Sequence, residues 1–345
     1  MGNKKSAPRI QNHDDQDESD YEDDDDEPNV ILEIEERAEC DNVESLSKDC
    51  ERCEHLYGSA MIDVKDFSLD CLPEALREQQ ILDYLMTQAK IAVKLQVKKC
   101  GFKAGMTFDA SGWACVSEDT AIEYASCPLQ DCPMNGGNVH KAYGGITVYT
   151  NEHVVNKKEE GVNCKIIFFY VRDKADCEET FLLQKDSPDT TEVGTISSSE
   201  LLSDSDTPVL AWGLCVKQVR ENKDLVAIET IFHDPELFNV VSACSTQRIC
   251  AWTKMPDLLK KELKEHVVVI SHPHGRPKVV SVGKLLCLEE ASQGERAEKE
   301  TRYSASTCTG SSGGPVICGH YPYRPFTHSS KREYRDRIEN FSLSY

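Results

Sequence analysis

The chain has 345 residues, 39% of them hydrophobic, which suffices for one sizeable globular domain with extensions. The 60 acidic and 39 basic residues give a formal net charge of −21, and this balance disfavours nucleic acid as a partner. The sequence contains no apolar run near the roughly 20 residues that a membrane-spanning helix needs. The N-terminus leads into acidic residues and not into an apolar signal-peptide core. We therefore expect a cytoplasmic protein whose 16 cysteines are mostly thiols.

The negative charge is concentrated near the N-terminus. Residues 11–39 hold fifteen Asp or Glu against the single basic Arg37. Because such a segment repels itself and buries little apolar surface, we expect residues 1–60 to form a disordered acidic arm. Docking of a partner protein through the arm is an alternative. An apolar stripe from Leu72 to Ala89 then predicts a helix within a linker that covers residues 61–90.

The first six residues fit the pattern for N-myristoylation, M-G-x-x-x-S, with Gly2 as the acceptor. Lys4, Lys5 and Arg9 could meet an anionic surface. One acyl chain binds membranes only marginally, and the neighbouring acidic residues would oppose binding. The pattern predicts at most a weak peripheral association with membranes.

Three groups of cysteine and histidine residues have spacings that could suit a metal ion: Cys40, Cys50, Cys53 and His55; Cys127 and Cys132; and His272 and His274. None of the groups supplies four ligands at the spacing of a zinc finger. We therefore expect scattered thiols in the first group, a rigid loop at the C-x4-C pair, and no metal at the histidine pair. No cofactor is expected.

A serine framed by glycines is the most specific pattern in the chain, T-G-S-S-G-G-P-V at residues 309–316. Glycines allow a tight turn that projects the Ser312 hydroxyl, while the backbone N–H groups of Gly310 and Ser312 point at one oxyanion position. The apolar residues after Pro315 predict a strand, which favours this interpretation over a flexible Gly/Ser linker. Ser312 is the predicted nucleophile; Cys308 lacks the glycine frame and is not.

Residues 310–315 resemble the G-x-S-G-G-P signature of trypsin-like serine peptidases. The resemblance implies an all-β fold of two six-stranded antiparallel barrels of the chymotrypsin type. It places the peptidase domain at residues 91–345, with the first barrel at about 91–235 and the second at about 236–345. It also implies a chain order in which an acid–base histidine comes first, an orienting aspartate second and the serine last.

The histidine expected from this order is His153. An alternating strand from Gly145 runs into T-N-E-H-V-V at residues 150–155, which resembles the segment around the histidine of HtrA-like peptidases. In the alternative interpretation, His153 is a surface or core residue with its hydrogen bonds satisfied by its neighbours and with no catalytic role. His140 is the distant alternative for the acid–base role.

The aspartate expected from this order is Asp224, at the entrance of the strand D-L-V-A-I-E that resembles the D-L-A-x-L-x-V segment of the superfamily. A buried carboxylate there would fix the tautomer of His153. Asp206, which also precedes a strand, is the alternative. Because the gap from His153 to Asp224 is wide for the family, residues 172–208 are predicted to be an inserted loop or hairpin.

Two further segments concern the second barrel. Residues 266–275 resemble the V-x-A-I-G-x-P-x-G run of HtrA-like enzymes, which opens that barrel. The resemblance places Ser306, six residues before Ser312, at the floor of the primary specificity pocket, with residues 326–330 and 340–345 as its edges. Without a carboxylate at the floor, a basic side chain would be buried unpaired, so we expect cleavage after apolar residues.

These patterns together predict a serine endopeptidase that acts on protein or peptide substrates through His153, Asp224 and Ser312 and a covalent acyl-enzyme. The alternative is a catalytically silent relative that keeps the fold as a protein-binding module. A weaker third hypothesis, a membrane-associated adaptor, depends on residues 1–6 alone.

Overall fold

The computed structural model describes residues 32–35, 38–39, 61–101, 104–129, 132–134, 139–162, 164–171, 208–220, 224–290, 299–333 and 338–344. The strands are β1 (Leu32–Glu35), β2 (Ala38–Glu39), β3 (Ile62–Asp63), β4 (Ala92–Lys98), β5 (Thr107–Val116), β6 (Ile122–Tyr124), β7 (Ala142–Gly144), β8 (Ile146–Thr150), β9 (Lys165–Phe168), β10 (Val209–Arg220), β11 (Leu225–Phe232), β12 (His266–Ser271), β13 (Val279–Glu290), β14 (Lys299–Tyr303), β15 (Pro315–Cys318), β16 (Phe326–Thr327), β17 (Ser330–Glu333) and β18 (Ile338–Ser344). The helices are α1 (Gln79–Ile91), α2 (Lys158–Gly161), α3 (Glu236–Lys254) and α4 (Asp257–Glu265).

The first sheet closes into a six-stranded antiparallel barrel. Its strands follow the order β10-β9-β4-β5-β8-β11, and pairing of β10 with β11 completes the ring. The side chains of Val93, Leu95 and Val97, at alternate positions of β4, are buried in the barrel interior. β9 pairs with β10, so the predicted insertion connects two neighbouring strands of the barrel. Residues 172–207 themselves lie outside the described residues.

The second sheet is an open half-barrel with the order β1-β17-β18-β14-β13-β12-β15-β16, and β3 pairs with β13. Strand β12 is apolar from Val267 to Ile270, and both of its faces are buried over these residues. Val267 and Val269 pack with Tyr303 inside the sheet's curve. Val268 and Ile270 pack on the opposite face, against residues of the helices. The mostly β architecture with two antiparallel sheets confirms the predicted fold class.

Helix α1 packs on the second sheet and is shorter than predicted. Two 3-10 turns, Leu69–Cys71 and Glu74–Leu76, come before it, and Arg77 interrupts the helix with a ψ of 58°. Tyr84 of α1 lies against Trp252 of α3, with their ring centroids 5.9 Å apart. The predicted helix is therefore confirmed only in its second half.

Helix α3 connects the two sheets and was not predicted. Its buried residues recur at intervals of three and four positions, as in an amphipathic helix, and they are Leu237, Phe238, Val241, Cys244, Arg248 and Trp252. The backbone N–H of Glu236 donates to the Oδ1 of Asp234, so an acidic side chain caps the start of the helix. Both signals are present in the sequence. The short helix α4 follows directly after Pro256.

Two short strands fall within the predicted acidic arm. β1 pairs with β17 of the second sheet, and β2 pairs with β5 of the first. Residues 32–35 and 38–39 of the predicted arm thus form strands, and the rest of residues 1–60 lies outside the described residues. Several other predicted features, namely Gly2, Cys50, Cys53, His55 and Asp206, lie outside the described residues. Across the described ranges, no helix is long and apolar enough to cross a membrane.

Candidate active site

His153 and Asp224 meet at one end of the first barrel. β8 ends at Thr150, and the turn that follows presents the His153 ring, whose Nδ1 lies 2.9 Å from both carboxylate oxygens of Asp224. The backbone N–H of His153 also donates to Asp224 Oδ1, at 3.1 Å. On the other side, Asn151 Nδ2 donates to the Asp224 carbonyl oxygen at 2.9 Å. The aspartate is thus fixed by its side chain and by its backbone at the entrance of β11.

The Asp224 carboxylate keeps its charge although it is buried. Burial alone would raise its pKa, but the hydrogen bonds and charge of His153 and the hydrogen bond from Ser329 outweigh this effect, so the pKa lies below its usual value. An ionised carboxylate on Nδ1 favours the imidazole tautomer that carries its proton on that nitrogen. The Nε2 of His153 is then the basic nitrogen, which a general base requires.

The loop that carries Ser312 depends on two glycines in the left-handed backbone region. Gly310 has a φ of 96° and Gly313 a φ of 84°. A Cβ on Gly310 would lie 2.7 Å from the His272 carbonyl oxygen, and one on Gly313 would collide with Ser111 O and Thr150 Oγ1. Glycine is therefore required at both positions, as the serine motif predicted.

Hydrogen bonds within the loop fix its shape around the predicted oxyanion donors. The N–H of Ser311 donates to the Cys308 carbonyl at 2.8 Å, and the N–H of Gly314 donates to the Ser311 carbonyl at 2.9 Å. The Ser311 hydroxyl lies inside the turn, where it accepts the N–H of Cys308. The backbone is thereby held rigid on both sides of Gly310 and Ser312, a requirement for a preorganised oxyanion hole.

Ser111 of β5 joins the nucleophile loop to the first barrel. Its N–H donates to the Ser312 carbonyl at 2.9 Å, and its hydroxyl donates to the Gly310 carbonyl at 2.8 Å. That same hydroxyl accepts the N–H of His272, which follows β12. The two sheets are thus joined at the nucleophile loop by one buried serine, a role that the sequence did not reveal.

Ser329 links all three predicted catalytic residues. Its Oγ donates to Asp224 Oδ2 at 2.5 Å, and its carbonyl oxygen accepts a hydrogen bond from Ser312 Oγ at 3.2 Å. The adjacent His328 accepts the N–H of Gly313 on its carbonyl and donates its own N–H to Gly314. The sequence placed Ser329 at a pocket edge, but gave no sign of its contact with Asp224.

The other histidines and the cysteine that were considered from the sequence have different neighbours. His140 lies beside His233, with their Nε2 atoms 3.1 Å apart. The Cys308 thiol lies 3.1 Å from Nε2 of His274, and both side chains are buried. His272, stacked on Tyr170, has its Nδ1 3.1 Å from the Arg276 carbonyl oxygen. The two histidines of the H-P-H-G turn therefore have separate partners.

The region predicted as the specificity pocket is lined by polar side chains. Thr307 donates to Asn340 Oδ1 at 2.6 Å, and Asn340 Nδ2 donates to the carbonyl of Ala305. The hydroxyl of Tyr303 lies 2.7 Å from Nδ1 of His328 and 3.1 Å from the Ser342 hydroxyl. Ser306 itself is buried, and its carbonyl accepts the Ser281 hydroxyl.

The structure combines a closed six-stranded barrel with an open second sheet. The loop that carries Ser312 is joined to both. The fold is chymotrypsin-like. His153, Asp224 and Ser312 lie in the chain order that this fold implies. His153 and Asp224 come from the first barrel, and Ser312 comes from the loop before β15 of the second sheet.

Solved structures similar to this chain include Deg5, with 11% identity, a TM-score of 0.38, and coverage of 77% of this chain and 92% of that one. The active form of the Rv3671c protease from M. tuberculosis has 12% identity, a TM-score of 0.37, and coverage of 77% and 82%. Its inactive form has 13% identity, a TM-score of 0.37, and coverage of 76% and 87%. No family profile and no curated protein matches the sequence. The activity of this chain must therefore be judged from its own site.

Proposed function

We propose that the chain is a serine endopeptidase that hydrolyses peptide bonds of protein or peptide substrates. One observation carries the proposal, the continuous set of hydrogen bonds that runs from His153 through Asp224 and Ser329 to Ser312. A histidine oriented by a buried carboxylate beside a glycine-framed serine is an arrangement suited to nucleophilic acyl transfer.

In the proposed reaction, Ser312 Oγ attacks the scissile carbonyl carbon while Nε2 of His153 takes the hydroxyl proton. The tetrahedral oxyanion is stabilised by the backbone N–H groups of Gly310 and Ser312. His153 returns the proton to the leaving amine as the acyl-enzyme forms. A water molecule, activated by the same histidine, then releases the acyl group and restores Ser312.

Asp224 and Ser329 act through His153. The carboxylate accepts the Nδ1 proton and stabilises the imidazolium that forms during attack. Ser329 holds the second carboxylate oxygen, so that the aspartate keeps both its charge and its orientation. We expect neither residue to contact the substrate's reacting atoms.

The alternative function, a catalytically silent binding module, has one observation in its favour. The Ser312 side chain is fully buried, and its hydroxyl donates to the Ser329 carbonyl oxygen. For attack, the hydroxyl must instead donate to His153. Reaction with a fluorophosphonate distinguishes the two functions, because this probe requires both an activated serine and access to it.

Cytoplasmic location and weak membrane association through Gly2 remain predictions. A mass spectrum of the native N-terminus tests the second of them. An acyl group on Gly2 would support it, and a free or acetylated terminus would exclude it.

A further inference from the structure

A second cluster of reactive side chains lies in the first barrel, away from the candidate active site. The ligand atoms of Cys127, Cys132, His140 and His233 all lie within 4.8 Å of one another. His233 follows the end of β11, whereas Asp224 precedes its start. At about 3.3 Å of rise per residue, this strand separates the two sites by roughly 30 Å.

The distances within this cluster match those of a tetrahedral metal site. The Cys132 sulfur lies 3.3 Å from His140 Nε2 and 3.5 Å from His233 Nε2, and the two Nε2 atoms are 3.1 Å apart. Around a tetrahedral zinc ion with ordinary bond lengths, two nitrogens are about 3.3 Å apart, and a nitrogen and a sulfur are about 3.6 Å apart. One ion between these atoms would therefore need little movement of the side chains.

The backbone brings two separate segments to the cluster, the β6–β7 connection and the end of β11. Cys127 and Cys132 lie in the loop between β6 and β7, and the N–H of Cys127 donates to the carbonyl of His140 at 3.0 Å. His233 arrives from β11, whose last residue, Phe232, pairs with Tyr143 of β7. Beneath the cluster lies a small apolar core formed by Leu129, Cys132, Ala142, Trp212 and Ile231. The ring of Trp212 meets His233 edge-on, with the centroids 5.4 Å apart.

We propose that these four residues bind one Zn²⁺ ion, with the two sulfurs as thiolates and both histidines bound through Nε2. Two thiolates and two imidazoles form a donor set that favours zinc over calcium, magnesium or manganese. Because four protein ligands fill the tetrahedron, the ion is structural and not catalytic. Binding displaces the two thiol protons and ties the long β6–β7 loop to the end of β11.

The proposal differs from the sequence-based expectation of a rigid loop at Cys127 and Cys132. That expectation counted two ligands. His140 supplies the third, and the fourth, His233, comes 101 residues after Cys132 in the chain. No local motif connects so distant a residue to the C-x4-C pair, so only the fold reveals the complete set.

The first test is the metal content of the full chain, purified with a reductant and without a chelator. Elemental analysis is expected to give about one zinc per chain. After exchange with Co²⁺, the visible spectrum is expected to show the d–d bands of a tetrahedral site and thiolate-to-cobalt charge transfer. These measurements on the wild-type chain do not depend on whether a variant folds.

The second test uses variants. Cys132→Ser and His233→Gln are expected to lose most of the zinc, whereas Cys250→Ser, which changes an exposed thiol on α3, is expected to retain it. The double variant Cys50→Ser/Cys53→Ser tests the other cysteine pair considered from the sequence and is also expected to retain the ion.

Three results would overturn the proposal. The first is a wild-type chain that takes up neither zinc nor tetrahedral cobalt when the ions are supplied in excess. The second is a mass spectrum of the unreduced chain that shows Cys127 and Cys132 joined as a disulfide. The third is zinc that survives Cys132→Ser but disappears in the Cys50→Ser/Cys53→Ser variant.

Discussion

Ser329 donates a hydrogen bond from its Oγ to Oδ2 of Asp224, at 2.5 Å. The same carboxylate accepts both the ring and the backbone N–H of His153. Three hydrogen-bond donors from two separate segments of the chain thus converge on one buried carboxylate. They explain why the pKa of Asp224 is lowered despite its burial. Ser329 is therefore the residue that extends the predicted triad.

Replacement of Ser329 by alanine tests this role. Without its hydrogen bond the pKa of Asp224 should rise toward the ordinary value. Because a lowered carboxyl pKa contributes stability that is lost as pH falls through the folded-state pKa, we expect the variant to lose stability at a higher pH on acidification, in the range below about pH 4. Urea denaturation as a function of pH measures the change.

The control for Ser329→Ala is Ser245→Ala, which removes a hydroxyl that donates to the Val241 carbonyl of its own helix. Its stability curve should keep the wild-type dependence on pH. If the unfolding free energies of Ser329→Ala and Ser245→Ala fall in the same way as the pH is lowered, the hydrogen bond to Asp224 does not stabilise the carboxylate.

Much of the site could be predicted from the sequence because its residues belong to short motifs. His153, Asp224 and Ser312 each follow or precede a strand, and the glycines around Ser312 have the backbone conformations that the motif requires. Ser329 and Ser111 could not be predicted, because a serine hydroxyl has many possible partners and its contacts depend on tertiary packing. The polar partners that complete the site are therefore visible only in the fold.

The fold was predicted to a similar extent. The alternation of apolar residues in β4 and the apolar run in β12 are both visible in the sequence and are typical of strands. Helix α3 was missed because its β-branched residues and cysteines hide a buried stripe of ordinary helical spacing. The start of α1 was misplaced because Arg77 breaks the helix locally, which its apolar stripe does not indicate.

The glycine at position 313 is predicted to be indispensable for reasons beyond its dihedral angle. Gly313 and Gly105 both have a positive φ, 84° and 90°, but a Cβ on Gly105 would meet nothing within 4 Å. Gly105→Ala should therefore cost about 1–2 kcal/mol of unfolding free energy, the ordinary penalty of this conformation. Gly313→Ala should cost more, because its Cβ also collides with Ser111 and Thr150.

Chemical denaturation of the two glycine variants provides the comparison. Gly313→Ala should also lose the reactivity of Ser312, whereas Gly105→Ala should keep it. Equal losses of stability in the two variants would show that the nucleophile loop relaxes freely and is not held against β5.

The buried Lys278 predicts a dependence of stability on alkaline pH. Burial lowers its pKa from 10.5 to about 7, and its ammonium donates to the Ala89 carbonyl. Between about pH 7 and 10 the unfolded chain binds this proton and the folded chain does not. The contribution of Lys278 to the free energy of unfolding should therefore rise with pH over this range, by up to about 1.4 kcal/mol per pH unit.

The difference between the wild type and Lys278→Met isolates that contribution, since other groups titrate in the same range. The slope of unfolding free energy against pH should be smaller in the variant. Lys254→Met, at an exposed position near the end of α3, should keep the wild-type slope. A Lys278→Met slope equal to that of the wild type would mean that the lysine stays charged when buried.

The polar lining of the predicted specificity pocket revises the expected substrate preference. Thr307, His328 and Asn340 are all buried there and are hydrogen-bonded within the protein, so an apolar substrate side chain that entered the pocket would have to break these bonds and leave polar groups unpaired. If the chain is a peptidase, we expect cleavage after residues that form hydrogen bonds, and neither after apolar nor after basic ones. A peptide-library profile measures this preference.

A change at His328 should alter that profile more than the reactivity of Ser312. His328→Leu is expected to shift cleavage toward apolar residues while labelling by a small fluorophosphonate persists. A wild-type profile dominated by Leu, Phe or Val would instead support the original expectation from Ser306.

The central claim is that Ser312 is an activated nucleophile, and labelling of the purified chain by a fluorophosphonate tests it most directly. We predict labelling at Ser312 that is absent in Ser312→Ala and strongly reduced in His153→Ala. Asp224→Asn should slow labelling by about 10⁴-fold while the fold is kept, and Asp206→Asn and Cys308→Ala should have little effect. A folded wild-type chain that stays unlabelled from about pH 6 to 9 would contradict the claim and favour the binding module.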